Sequence, residues 1–208
     1  MTQRRAIPAR SPRLLLGVAS AGVLLLGGCA GPAGPASGAG ASSGDPVTAV
    51  ATVLQKGDGP PELCLGGVAE SLPPQCGGPQ STGWDWDDVE SESVRDTTWG
   101  EYAVVGTWDG ETFHLTEPAT APDPRAEPPD DPRRDPGDPG EAGPERQAQD
   151  LLDEVYEPLG GLAGWTENGY VWITVVYDDG SIQRHADRTY GADRIAVVSA
   201  LRDAPERR

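Results

Sequence analysis

The chain is poor in basic residues. Its 208 residues include 16 lysines and arginines against 33 aspartates and glutamates, so the formal net charge is −17. Nucleic acid and anionic lipid headgroups repel a chain this acidic, and we therefore exclude a nucleic-acid partner. Glycine (28) and proline (21) are abundant. With so much glycine and proline, ordered structure is expected only in separate segments of the chain.

The sequence also lacks an apolar run long enough to cross a membrane as a helix. The apolar segment at residues 14 to 26 spans about 20 Å as a helix, against about 30 Å for the hydrocarbon core of a bilayer. Four arginines and no acidic residue precede it. This arrangement is typical of a secretory signal peptide, which we place at residues 1 to 28.

The signal peptide ends in a distinctive tetrapeptide. Leu26-Gly27-Gly28-Cys29 resembles the bacterial lipobox, the processing site of exported lipoproteins. The resemblance implies that Cys29 carries a diacylglyceryl group, that cleavage occurs just before it, and that the lipid holds the protein on the extracytoplasmic face of the cell membrane. Residues 29 to 46, rich in Gly, Ala, Pro and Ser, predict a flexible tether. The alternative is an ordinary secretory signal in which Cys29 has no role.

The export route is left open between the general secretory and twin-arginine pathways. Arg4-Arg5 is compatible with the second, but the apolar residues expected soon after the pair are missing.

Cysteine is scarce, with three in the chain. Once Cys29 is assigned to lipid, Cys64 and Cys76 remain, and paired cysteines of an exported chain usually form a disulfide. Their spacing is not the C-x-x-C of redox pairs. A metal site would need further ligands, and the two histidines, His114 and His185, are far away in sequence. The pattern favours a structural disulfide.

Residues 118 to 144 lack every Val, Ile, Leu, Met and aromatic residue and contain nine prolines. A segment of this composition cannot form a hydrophobic core. We predict a disordered linker here, made semi-extended by proline and by charge repulsion.

Residues 47 to 117 predict a small antiparallel β domain, with a partly closed barrel as one arrangement open to it. Runs at 47 to 55 and 62 to 68 have strand composition. Two alternating runs flank Asp109-Gly110, a pair favoured in tight hairpin turns. Alternation places four residues of the first run on one face: Tyr102, Val104, Gly106 and Trp108.

Residues 145 to 203 predict a second small domain of α+β class, with element order α-β-β-α-β and a short tail at 204 to 208. The apolar spacing after residue 145 indicates an amphipathic helix. Another helix is expected from Ser181, at or near its cap, to Gly191.

The strands of this second domain are predicted from turn chemistry and composition. A hairpin turns at Asn168-Gly169. Residues 194 to 201 form the last strand, expected beside or near residues 170 to 177.

Three stretches carry a resemblance to known sequences: "PELCLGGVAESLPPQCGGP" with the following "GWDW", then "WGEYAVVGTWDG", and "YGADRIAVVSAL". They resemble a family of uncharacterised actinobacterial exported lipoproteins. The resemblance supports the two domain boundaries and implies no catalytic residue. The order of elements near the C-terminus is also loosely similar to the propeptide modules of secreted bacterial serine proteases.

Motifs for phosphate loops, dinucleotide binding, zinc binding or a nucleophile elbow are absent. His114 and His185 are candidate bases, although each is more often an exposed residue. The remaining candidates for metal binding form one acidic run, which lacks the spacing of a calcium loop: Asp85, Asp87, Asp88, Glu90 and Glu92. We expect no catalytic residue, no metal and no cofactor.

Six tryptophans stand out in a small chain. Most are expected in the core, since each can bury a large area. Trp84 and Trp86, which lie next to acidic residues, are the best candidates for an exposed ligand platform.

These observations favour a non-enzymatic lipoprotein that binds an envelope protein. The alternatives are a carbohydrate or cell-wall binding module using Trp84 and Trp86, a protease-facing module, and an unrecognised hydrolase with a metal at the acidic run.

Overall fold

The computed structural model describes residues 44 to 126 and 130 to 205, which belong to one compact unit of mixed α+β structure. The predicted signal peptide, Cys29 and the tether up to residue 43 lie outside the described residues. The strands are β1 (Pro46–Lys56), β2 (Glu62–Cys64), β3 (Ser81–Thr82), β4 (Glu92–Val94), β5 (Thr97–Trp108), β6 (Phe113–Leu115), β7 (Ala163–Glu167), β8 (Tyr170–Val175), β9 (Ile195–Ser199) and β10 (Arg202–Asp203). The helices are α1 (Glu145–Val155) and α2 (Ser181–Tyr190), with short 3₁₀ turns at Trp86–Asp88 and Pro132–Arg134.

The first sheet is a curled half-barrel of seven strands. Its main path runs β10-β1-β5-β6-β3, with β2 paired to β1 and β4 paired to β5. The long pair β1 and β5 is antiparallel over eleven positions, from Pro46 opposite Thr107 to Lys56 opposite Thr97. The prediction of a purely antiparallel sheet is wrong in one place, because β3 pairs with β6 in parallel.

The core of the half-barrel follows the alternation of β1 and β5. One face of β1 buries Val47, Ala49, Ala51 and Val53, and the predicted face of β5 buries Tyr102, Val104 and Trp108. Small residues on β1 leave room for the rings on β5. Gly100 extends this fit, since a Cβ atom there would lie 2.1 Å from Oη of Tyr102.

The disulfide between Cys64 and Cys76 is present, with the two Cα atoms 5.7 Å apart. It fastens the loop after β2 to the outer side of the half-barrel, where Cys64, Leu54 and Trp99 form a small separate core. The predicted strand at 62 to 68 ends at Cys64.

The second sheet has the order β7-β8-β9. As predicted, β7 and β8 form a hairpin around Asn168-Gly169, where both residues have positive φ angles of 48° and 75°. Strand β9 lies beside β8 in parallel after the α2 crossover. Both helices contribute to the core on one face of this sheet, with Leu151, Leu152 and Val155 of α1 and Ala186 of α2 buried.

Helix α2 begins at Ser181, which lies next to the N-cap position as predicted. Gly180 occupies the N-cap position and makes no side-chain cap bond. The carboxylate of Asp178 instead accepts hydrogen bonds from the backbone N–H groups of Ile182 and Gln183. At the other end Gly191 has a φ of 103° and stops the helix as expected.

The segment expected to be a disordered linker differs from that prediction in both of its described parts. Thr120 pairs with Ala103 of β5. Further along, Arg133 and Arg134 cover the face of the second sheet opposite the helices. Asn168 donates hydrogen bonds to the carbonyls of Arg133 and Asp135, and Gly140 N–H donates to the Asn168 carbonyl. Ala142 is buried in the helix-side core.

The predicted split into domains at 47 to 117 and 145 to 203 is not confirmed. The chain passes directly from β9 into β10, which pairs with β1 at Val47 and Thr48. Leu201, between β9 and β10, is fully buried in the half-barrel core. The two sheets therefore share one connecting stretch of chain. No helix within residues 44 to 126 and 130 to 205 is long and apolar enough to span a bilayer.

Candidate functional site

A groove of about 1390 Å³ lies between the two sheets. Its floor is the end of β9, Val197 to Ser199, followed by Ala200 and Arg202. Strand β1 contributes Val50 to one wall, and the other wall is formed by Pro122, Asp123 and Ala126 together with residues between Asp130 and Arg134, including Arg133. We refer to this surface as the inter-sheet groove.

Val50 is the most notable residue of the inter-sheet groove. It lies on the outward face of β1 and is 49% exposed, whereas Val47 and Val53 on the inward face are fully buried. Its position on β1 falls between Thr48, which pairs with β10, and Thr52, which pairs with β2. A branched apolar side chain is therefore presented to solvent in the middle of a rigid strand.

The charges around the inter-sheet groove are of both signs. Asp131 and Arg133 form an ion pair with Oδ2 and Nη2 2.6 Å apart. The hydrogen bond from Arg133 holds the pKa of Asp131 below its ordinary value, against the opposing effect of burial. Arg134 pairs with Glu167 at 2.8 Å. Exposed Arg202 adds a further positive charge to the rim.

Two side chains bond the backbone groups along the unpaired edge of β9, which lies beside this groove. Gln183 accepts a hydrogen bond from Val197 N–H at 2.9 Å and donates one to the Ile195 carbonyl at 2.9 Å. Arg133 donates to the Val197 carbonyl at 3.2 Å and to Oε1 of Gln183 at 2.9 Å. These bonds satisfy backbone groups that a neighbouring strand would otherwise satisfy, and they fix the position of the 130 to 134 wall.

The two tryptophans predicted to form an exposed platform are half-buried instead. Trp84 and Trp86 contact each other edge to face at 5.4 Å between ring centroids, and Trp84 contacts Tyr102 in the same way at 5.0 Å. The indole N–H of Trp86 donates to Oε1 of Gln55. Asp85 accepts a hydrogen bond from Asp87 N–H and starts the 3₁₀ turn at Trp86. Both rings thus pack against the half-barrel core.

A smaller cleft of about 220 Å³ remains beside one of these rings. Gly83, Trp84 and Asp85 form one side, and Leu115, Pro118 and Ala119 form the other, with Asp88 and Val89 between them. We refer to it as the Trp84 cleft. The indole N–H of Trp84 is one of two buried side-chain polar atoms in the described residues that lack a hydrogen-bond partner.

The acidic run does not converge on a point. Within the described residues no group of three or more His, Cys, Asp or Glu side chains is placed to hold a metal ion. Asp85 caps a turn, and Glu90 contributes its backbone carbonyl to the Tyr102 hydroxyl at 2.6 Å. Glu92 lies on β4, opposite Trp99.

His114 has both ring nitrogens engaged. Nδ1 lies 2.8 Å from Oγ1 of Thr82, and Nε2 lies 2.8 Å from Oδ2 of Asp109. The pKa of Asp109 is lowered to about 2, chiefly by the hydrogen bond from Thr112 N–H and then by those from His114 and Glu111 N–H. This order of hydroxyl, imidazole and carboxylate is the one that activates nucleophiles in hydrolases.

His114 and its partners lie on the protein surface and not in a cavity. The His114 and Asp109 side chains are 42% and 44% exposed. Thr82, His114 and Asp109 line neither the inter-sheet groove nor the Trp84 cleft. The arrangement fastens the 109 to 112 loop to β3. The other histidine, His185, lies half-buried on α2.

A scan against protein-family models, a search of curated proteins and a search of solved structures each found no match to this chain. Its function is therefore argued from the geometry above. Sequence reasoning missed the inter-sheet groove because Val50 lies in a regular strand and Arg133 lies in a segment that lacks Val, Ile, Leu, Met and aromatic residues. One available signal was the valine at position 50, an apolar residue between Thr48 and Thr52 on the outward face of β1.

Proposed function

We propose that the protein is a lipid-anchored accessory protein of the cell envelope, which binds another envelope protein and catalyses no reaction. Two features agree with this proposal. The signal peptide and lipobox at Cys29 favour attachment to the extracytoplasmic face of the membrane. The disulfide supports an oxidising compartment for the folded part.

The observation that carries the proposal is the inter-sheet groove with Val50 exposed in its wall. An apolar strip with charged groups of both signs at its rim has the character of a protein-binding surface, with an apolar centre and a polar margin. Its volume is well above that of a single small-molecule pocket, which runs to about 1,000 Å³. An extended segment of a partner protein fits a trough of this form.

The rigidity of the walls also supports binding. Val50 lies on the longest strand pair, and Arg133 is held by Asp131, Gln183 and the Val197 carbonyl. Surfaces that are already ordered lose little conformational freedom on association, so more of the contact energy appears as affinity.

The experiment is site-specific photocrosslinking in intact cells of the native host. A photoreactive residue is placed at position 50 in the groove, and a matched one at position 68, where Val68 is 40% exposed away from the groove. The proposal predicts a discrete crosslinked envelope protein from position 50, lost when Arg202→Glu is added. Equal crosslinking from both positions, or none from position 50, would contradict it.

A further inference from the structure

The Trp84 cleft offers a second surface, independent of the inter-sheet groove. We propose that it binds one ring of a neutral or amino-sugar glycan. The cavity of about 220 Å³ is too small for a peptide segment and suits a single six-membered sugar ring.

The lining of the Trp84 cleft matches the two kinds of surface that a pyranose presents. Trp84 supplies an aromatic side, and Val89, Leu115 and Ala119 add apolar contacts for the C–H faces of the ring. Asp85 and Asp88 supply carboxylate oxygens, which accept hydrogen bonds from hydroxyl or ammonium groups. Few precisely placed polar groups on an apolar lining are typical of small-ligand sites.

The charge of the Trp84 cleft narrows the ligand class. Three acidic side chains line it, Asp85, Asp88 and Glu117, and no lysine or arginine does. Such a site repels phosphate, sulfate and uronate groups. It accepts neutral sugars and favours sugars that carry an amine.

Trp84 presents a preoriented ring to the cleft. The ring is held in place at the wall by Trp86 and Tyr102, which orients it before any ligand arrives.

The test is calorimetric titration of the full-length protein in detergent with chitosan tetramer, its N-acetylated counterpart and a polygalacturonate oligomer. We expect saturable binding of the first or second ligand and none of the third. Asp88→Asn removes an exposed carboxylate of the cleft without touching the core, and Trp84→Phe keeps a ring but removes the indole. Each should weaken binding about tenfold, equivalent to about 1.4 kcal/mol.

Asp58→Asn is the matched control, because Asp58 is an exposed acid outside the cleft. It should leave the affinity unchanged. Three results would overturn the proposal: no binding of either uncharged or amino glycan at millimolar concentration, equal binding by the Asp88→Asn and Asp58→Asn variants, or binding of the amine alone that salt abolishes in all variants equally. The last would indicate only general attraction to an acidic protein.

Discussion

Arg134 lies over the ring of Trp172, with its guanidinium carbon 4.5 Å from the ring centroid. Arg133 lies over the same ring at 5.2 Å, and Trp165 stacks on it at 5.7 Å with the planes 7° apart. Trp172 is fully buried in this way. Two arginines from a proline-rich segment thus cover one face of the second sheet, a role that aliphatic side chains usually fill.

The stacking of Arg133 and Arg134 on Trp172 explains how a segment without Val, Ile, Leu, Met or aromatic residues can be ordered. A guanidinium group is planar and weakly hydrated, so it stacks on an aromatic face while its N–H groups remain bonded. Arg134 keeps its ion pair with Glu167, and Arg133 keeps its pair with Asp131. The segment therefore covers the sheet with charged side chains and backbone groups.

Gln183→Ala should destabilise the protein by about 2 kcal/mol, because Val197 N–H and the Ile195 carbonyl would lose their partners at the edge of β9. Gln149→Ala is the matched control, since Gln149 is exposed on α1 and bonds only Asp153 at 3.4 Å. It should change stability by less than about 0.5 kcal/mol. Urea unfolding measures both. Equal values for the two variants would show that the Gln183 bonds contribute nothing.

Gly100→Ala should destabilise the half-barrel by about 1–3 kcal/mol, because the added Cβ would lie 2.1 Å from Oη of Tyr102. Gly67→Ala meets no atom within 4 Å and serves as the control. The melting temperatures of the two variants, compared with the parent, check the prediction. A parent-like Gly100→Ala protein would mean that Tyr102 moves at little cost.

Removing the disulfide by Cys64→Ser with Cys76→Ser should lower the free energy of unfolding by about 3 kcal/mol, from the loop entropy that the crosslink removes in the unfolded chain. Denaturant titration of the oxidised parent and the double variant gives the difference. Adding a reductant should affect the parent alone. Unchanged stability in the double variant would contradict the structural role given to this bond.

Asp109 should make the free energy of unfolding depend on pH in the acid range. Its pKa falls from 3.8 to about 2 on folding, so its contribution is complete above pH 3.8 and is lost as the pH falls through about 2. We expect Asp109→Asn to unfold with a shallower pH dependence between pH 4 and pH 2 than the parent. Unfolding curves of the parent and the variant at several pH values test this. Identical slopes for parent and Asp109→Asn would show that the His114 and Thr112 bonds do not persist in solution.

The sequence predicts the local elements well where one pattern decides them. Alternation identifies the buried face of β5, and the Asn168-Gly169 pair identifies the β7–β8 turn. The predicted Asp109-Gly110 turn is present as a four-residue loop, because Asp109 Oδ1 accepts from Glu111 and Thr112 N–H and widens it.

The missed features depend on contacts between distant residues. Pairing of β10 with β1 joins the two predicted domains, yet Arg202-Asp203 has no strand signature of its own. Arg133 is held in part by Gln183 and Val197, which lie 50 and 64 residues away in sequence. The inter-sheet groove results from both contacts, so neither composition nor periodicity could predict it.

The central claim is attachment to the membrane through Cys29, which determines where every binding partner must be found. Mass spectrometry of the native protein purified from its own cells tests this directly. The account predicts an N-terminal peptide that begins at Cys29 and carries a diacylglyceryl group. A native chain that retains residues 1 to 28, or that has an unmodified Cys29 thiol, would contradict it.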